Sequence, residues 1–118
     1  MYGYVKVGSA VPKLRVADCV YNKEEILKLV EAAAAKQVRV LSFPELSVTG
    51  YTCADLFFQA PLLHAAEQAI QEIAEATKTL NIFLLIGAPI AADNQMFNCA
   101  VALYRGKLLG IVPKTHIP

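Results

Sequence analysis

The sequence lacks tryptophan, and its 118 residues show no marked excess of charge, with 11 lysines and arginines against 10 aspartates and glutamates. A net charge of +1 without a basic block cannot neutralise a run of phosphates. The longest apolar stretch, residues 82–92, is interrupted by Gly87 and Pro89 and falls well short of the roughly 20 residues of a membrane-spanning helix. We therefore expect neither a nucleic-acid nor a membrane partner.

Cysteine is scarce as well, since Cys19, Cys53 and Cys99 are widely spaced and form no Cys-x-x-Cys pair. Such an odd set predicts reduced thiols, with neither a disulfide framework nor a metal site.

Lys6 stands where a signal peptide would have its apolar centre, which favours a cytoplasmic location. The sequence contains no Gly-x-Gly-x-x-Gly and no phosphate-binding loop, so we expect no nucleotide or other cofactor site within these residues.

The hydrophobic periodicity predicts an α/β fold with a mixed sheet. The predicted elements are strands at 2–7, 38–43, 82–86, 97–104 and 108–112, with helices after residue 22 and at 62–79. Asn22 is expected to cap the first helix, with Glu25 completing a capping box, and Gly87 is expected to end the third strand. The last two strands form a hairpin. The positions of the second helix that we expect to face the core are Ala66, Ala69, Ile70 and Ile73.

Two charged residues, Glu45 and Lys114, each follow a predicted strand and a proline. Open α/β sheets bind their ligands at the carboxyl ends of strands, so both residues are candidates for a site. A solvated loop charge is the alternative for either residue taken alone. Their similar placement at two strand ends makes the pair more informative than either member.

Beyond these patterns, the sequence resembles the nitrilase, or carbon–nitrogen hydrolase, superfamily. The segments that carry the resemblance are Phe43-Pro44-Glu45, similar to its catalytic-glutamate motif, Asn98 with Ala100, similar to its Asn-x-Ala strand, and Lys114-Thr115-His116, similar to its Lys-x-His motif. Within the superfamily, the chain is similar to the glutaminase domains of glutamine-dependent NAD synthetases, through residues 12–18, 21–22, 43–46, 49–53, 55–57 and 112–115. The resemblance implies one half of a nitrilase-like α-β-β-α sandwich, with a mixed sheet and helices.

The resemblance also implies a Glu-Lys-Cys triad that hydrolyses an amide. Glu45 would be the general base for a cysteine thiol, and Lys114 would stabilise the oxyanion of the tetrahedral intermediate. Tyr51 would line the substrate pocket, although an ordinary half-buried loop tyrosine is an equal alternative. Cys99 alternates with core residues and is interpreted as a small core side chain, and Cys53 is a minor alternative as nucleophile. We therefore expect residues 1–118 to be the amino-terminal portion of such a domain, truncated before the nucleophilic cysteine and inactive alone.

For the full-length protein, the resemblance implies hydrolysis of glutamine as a small-molecule substrate. The ammonia would pass to a synthetase domain of the same chain, which amidates deamido-NAD with ATP and magnesium. We also expect the protein to be a homo-oligomer. Two alternatives stay open: another amidase or carbon–nitrogen hydrolase of the superfamily, or a non-catalytic truncated chain.

Overall fold

A computed structural model of the chain describes residues 5–15, 17–44, 47–49, 60–92 and 95–113. The elements are β1 (Val7–Ser9), α1 (Cys19–Ala35), β2 (Val40–Ser42), α2 (Ala60–Ala76), β3 (Phe83–Ala92), β4 (Gln95–Tyr104) and β5 (Lys107–Pro113). The order of strands and helices is the one that the sequence predicts. Neither described helix is long and apolar enough to cross a membrane.

The five strands form one mixed sheet in the order β1-β2-β3-β4-β5. β1, β2 and β3 run parallel to one another, whereas β4 is antiparallel to both β3 and β5. β5 therefore runs in the same direction as β2. The carboxyl ends of β2 and β5 consequently lie at the same edge of the sheet, which is the feature that positions the candidate site.

The core lies between one face of this sheet and the two helices, which also pack against each other. The fully buried side chains at its centre are Ile26, Val30, Ile73, Leu84, Ile86, Val101 and Leu103. Removing a side chain of this size from water stabilises a fold by about 1.5–3 kcal/mol. The four positions of α2 that we expect to face the core are all buried, which confirms that prediction.

The start of α1 differs from the prediction. The helix begins at Cys19, and the Asp18 carboxylate caps it by accepting a hydrogen bond from Tyr21 N at 3.0 Å. Asn22 lies inside the first turn and is completely buried. Both Asp18 and Asn22 are common capping residues, and the burial of Asn22 leaves Asp18 to cap the helix.

The first two strands are shorter than the alternation of polarity suggests. The strand expected at 2–7 is observed at Val7–Ser9, and residues 1–4 lie outside the described part of the chain. The strand expected at 38–43 is limited to Val40–Ser42. Strand length here is set by the pairing partner, because β1 and β2 are hydrogen-bonded to each other over three residues.

β3 does not end at Gly87 but continues through it and through Pro89. The carbonyls of Leu85 and Gly87 accept hydrogen bonds from Phe43 N and Val48 N, so these odd-numbered residues direct their backbone groups away from β4. Pro89 has the same orientation and lies beyond the end of β2. Its missing N–H therefore removes no bond of the β3–β4 ladder, and the strand tolerates the proline.

The β4–β5 hairpin is confirmed, and it turns through Arg105 (φ 49°) and Gly106 (φ 84°). Positive φ at both central residues defines the tight turn whose twist matches that of the strands. A register shift at Ala102 and Leu103 places a bulge in the same hairpin.

Replacing Gly106 with alanine should lower the free energy of unfolding by about 1–2 kcal/mol, the usual cost of a left-handed residue with a Cβ. A Cβ at Gly106 would lie 2.8 Å from Lys78 Cβ, which adds crowding. The matched control is Gly110→Ala in β5, because nothing lies within 4 Å of a Cβ there. Urea denaturation of the two variants measures the difference, and equal losses would contradict the argument.

β5 carries exposed apolar side chains, among them Leu109, which is 55% exposed, and Val112, which is 65% exposed. It is also the last strand of the described sheet. An exposed apolar edge is a template for pairing with another chain.

We expect the isolated 118-residue chain to self-associate, and a Leu109→Lys, Val112→Lys double variant to remain monomeric to higher concentration. Lysine blunts an edge strand because pairing would bring like charges together. Val20→Lys on α1 is the control, since Val20 is 66% exposed but does not belong to the sheet. Sedimentation velocity distinguishes the variants. An unsubstituted chain that stays monomeric would show that the edge is not adhesive.

Candidate active site at the carboxyl ends of β2 and β5

The three predicted site residues, Glu45, Tyr51 and Lys114, lie outside the described residues, as do Cys53 and His116. Their roles therefore stay predictions. The structure does describe Pro44 before Glu45, residues 47–49 after it, and Pro113 before Lys114.

A cavity of about 230 Å³ lies where β2 ends. It is lined by Ser42, Phe43, Pro44, Leu85, Ile86, Gly87, Asn98, Cys99 and Ala100. Asn98 and Ala100, the two residues that resemble the Asn-x-Ala strand, thus share a cavity with the proline that precedes Glu45. Every described lining residue is uncharged, so charged groups acting here would have to come from neighbouring segments.

The register of the hairpin places the end of β5 beside the same part of β4. Pro113 is paired with Cys99, and Val112 is paired with Ala100, and both of these β4 residues line the cavity. Adjacent strands are about 4.8 Å apart. Pro44, the residue before Glu45, therefore lines the cavity, and Pro113, the residue before Lys114, is paired with a residue that lines it. Both lie toward the end of the sheet where α/β proteins bind ligands.

The loop that carries Glu45 is anchored to β3 on both sides. Before it, Phe43 N donates to Leu85 O at 2.9 Å, and after it, Val48 N donates to Gly87 O at 3.1 Å. Ser47 also donates through Oγ to Gly87 O at 3.4 Å. Residues 47–49 are completely buried, unlike most loops, which run over the surface. The loop ends are therefore placed by backbone hydrogen bonds and burial.

The role of Asn22 in this arrangement was not predicted from the sequence, which assigned Asn22 to the cap of α1. Asn22 reaches from α1 and donates from Nδ2 to Val48 O at 2.8 Å. The signal available in the sequence was Asp18, a second capping residue one turn earlier, which leaves the side chain of Asn22 available for another partner.

The described charged pairs lie away from the cavity. Lys23 Nζ contacts Glu72 Oε1 at 2.7 Å and links α1 to α2. The hydrogen bond to Glu72 raises the pKa of Lys23, and the bond from Lys23 lowers the pKa of Glu72. Both groups keep their charge near neutrality, and the pair belongs to the helical layer. His64 is exposed on α2.

Cys99 is 3% exposed and shares a face of β4 with the core residues Val101 and Leu103. Burial raises the pKa of its thiol, which disfavours the thiolate that a nucleophile needs. This confirms the interpretation of Cys99 as a core side chain. Cys19 is buried in the core as well.

Carbon-nitrogen hydrolase is the family whose pattern matches this chain, over residues 6–118. The chain therefore belongs to the carbon-nitrogen hydrolase family, as its motifs suggested.

Among curated proteins, the chain is 34% identical over 116 residues to the glutamine-dependent NAD(+) synthetase of Mycobacterium leprae. That match covers 98% of this chain and 17% of the relative. The human glutamine-dependent NAD(+) synthetase is 31% identical over 111 residues, which cover 86% of this chain and 16% of that protein. The chain thus spans about a sixth of the length of the relatives it matches.

Solved structures agree with the fold. A glutamine-dependent NAD(+) synthetase from Cytophaga hutchinsonii superposes with a TM-score of 0.90 at 28% identity, covering 97% of this chain and 19% of that one. An amidase from Nesterenkonia superposes with a TM-score of 0.81 at 20% identity, covering 97% of this chain and 44% of that one. The predicted nitrilase-like α/β fold is confirmed.

The Cys99 thiol should react with iodoacetamide at least about ten times more slowly in the folded chain than in urea, because its burial favours the neutral form. The raised pKa also determines how the stability of the fold changes with pH. The stability that the buried thiol contributes is present below the pKa of a free cysteine, about 8.5, and is lost as pH rises through the folded value. Peptide mass spectrometry after labelling measures the rate, and rapid labelling of the native chain would contradict the core assignment.

Proposed function

We propose that this chain is the amino-terminal part of the glutaminase domain of a glutamine-dependent NAD(+) synthetase. The observation that carries the proposal is that Pro44 lines a cavity that is also lined by Cys99, the β4 residue with which Pro113 is paired. Glu45 and Lys114 directly follow these two prolines in the sequence. The identity of 34% to a curated synthetase along 98% of the chain supports the choice of enzyme within the family.

Amide hydrolysis needs a nucleophile because the amide carbon is a poor electrophile. In the proposed reaction, Glu45 takes the proton of a cysteine thiol, and the thiolate attacks the side-chain amide carbon of glutamine. The proton then passes from Glu45 to the departing ammonia, which leaves a thioester. Water, activated by the same carboxylate, hydrolyses the thioester to glutamate and restores the thiol.

Lys114 has an electrostatic role in this proposal. Its ammonium stabilises the oxyanion of each tetrahedral intermediate, and it limits the repulsion between Glu45 and that oxyanion. The two charged groups would lie roughly 3–7 Å apart, directly paired or bridged by water. Tyr51 would line the glutamine pocket.

We place the nucleophilic cysteine outside these 118 residues. Cys19 and Cys99 are buried in the core or beside it, and the raised pKa of Cys99 opposes ionisation. Cys53 is the alternative within the chain.

In the full-length protein, the ammonia would serve a synthetase domain that amidates deamido-NAD, and the cytoplasm is the proposed location. The ATP and magnesium of that step belong elsewhere, because the 118 residues contain no glycine-rich phosphate loop. The described residues also hold no cluster of three or more potential metal-ligating side chains. No step proposed for this chain involves either group.

Replacing Glu45 with glutamine in the full-length protein should reduce glutamine-dependent NAD formation at least about 100-fold, the usual contribution of a general base. Glutamine has a similar volume but cannot accept the thiol proton, so ammonia-dependent NAD formation should remain. Glu31→Gln on the exposed side of α1 is the matched control and should leave both activities unchanged. Steady-state rates with glutamine and with ammonium chloride measure the two activities.

Loss of both activities in the Glu45→Gln variant would indicate a structural role for the carboxylate. If the unsubstituted protein hydrolysed other amides but not glutamine, a different amidase of the family would replace the proposed function.

A further inference from the structure

Asn22 is completely buried in the first turn of α1, and its side-chain amide uses all its hydrogen-bonding groups on backbone atoms of two loops. Its Oδ1 accepts a hydrogen bond from Arg15 N at 2.7 Å, and its Nδ2 donates to Arg15 O at 2.8 Å. The second hydrogen of Nδ2 is donated to Val48 O, also at 2.8 Å. A buried polar side chain with every partner in place fixes geometry, because any displacement leaves a peptide group unsatisfied.

Val48 is in turn bonded on its other side to the sheet. Its N–H donates to Gly87 O at 3.1 Å, so that hydrogen bonds run without interruption from α1 through Val48 to β3. The neighbouring Thr49 O accepts from Ala17 N at 2.8 Å, which ties the same segment to the residues preceding α1. The segment 47–49 is therefore held between the helix and the sheet.

This segment forms the carboxyl-terminal end of the loop that carries Glu45. The other end is fixed where Phe43 N donates to Leu85 O at 2.9 Å. Only residues 44–47 separate the two anchors. The position of Val48 thus limits the places that so short a loop can reach.

We propose that Asn22 is a positioning residue for the general base: by holding Val48, it fixes the loop from which Glu45 acts. The proposal rests on the proposed glutaminase function and extends it to a side chain that does not touch the substrate. Misplacement of a catalytic group by about 1 Å lowers a rate by about 100-fold. Loss of the Asn22 amide should therefore reduce turnover while leaving glutamine binding largely intact.

Aspartate is the sharpest substitution, because it keeps the shape of asparagine and the acceptor for Arg15 N. It removes both donors and places one carboxylate oxygen, in place of Nδ2, against the carbonyls of Arg15 and Val48. Asn22→Ser is a milder second variant, since the shorter hydroxyl can still donate and leaves room for a bridging water. The matched control is Thr77→Val, which removes the buried 2.8 Å bond from Thr77 Oγ1 to Ile73 O at the end of α2.

The experiment measures kcat and KM for glutamine, the rate with ammonium chloride, and the melting temperature of each full-length variant. We expect Asn22→Asp to lower the glutamine-dependent kcat about 100-fold, with KM changed less than about threefold and the ammonia-dependent rate retained. Asn22→Ser should give an intermediate kcat. Thr77→Val should lower the melting temperature without changing the kinetic constants.

A glutamine-dependent kcat close to that of the unsubstituted protein in both Asn22 variants would overturn the proposal. So would loss of folding in both variants, because Asn22 would then be required for the domain and not for placing the glutamate. If Asn22→Asp alone fails to fold, the kcat and KM of Asn22→Ser decide by the same criteria. An unsubstituted protein without glutamine hydrolysis would instead contradict the proposed function, and with it the role of Asn22.

Discussion

The hydrogen bond from Val48 N to Gly87 O is the interaction on which the arrangement of this chain depends. β2 ends at Ser42, and β3 continues beyond it, so the backbone of β3 would lack a partner on that side. The buried segment 47–49 supplies the partner and satisfies the carbonyl of Gly87, as buried peptide groups require. Because of this bond, the short strand β2 can pair with the much longer β3. The bond also holds the segment 47–49, which follows β2, against β3.

Local patterns were sufficient for most of the fold. The alternation along β4, the helical spacing of the buried positions of α2, and the glycine of the β4–β5 turn each depend on residues close together in the sequence. The extent of β3 could not be predicted in this way. Whether Pro89 is tolerated depends on where β2 ends, which is a property of the sheet and not of the strand itself.

In the candidate site, too, some features follow from residues that are close in the sequence, and others depend on residues that are distant in it. Asp18 and Asn22 both have capping chemistry, and the choice between them depends on Val48, which is distant in the sequence from either residue. Glu45, Tyr51 and Lys114 were identified from motifs that resemble a family, because no periodicity distinguishes a catalytic charge from a solvated one. The register of the strands adds that Pro44 lines the cavity and that Pro113 is paired with a residue lining it, which spacing alone did not specify.

The direction of the strands also bears on how the sheet assembles. β3, β4 and β5 form a meander in which each strand pairs with the next along the chain, and the β4–β5 turn has the backbone conformation of a tight hairpin. β1 and β2 pair in parallel, and each reaches its neighbour only through a crossover that contains a helix. Loop closure costs more entropy as the loop lengthens. The meander is therefore the part of the sheet with the lowest contact order, and its topology favours formation ahead of the parallel strands.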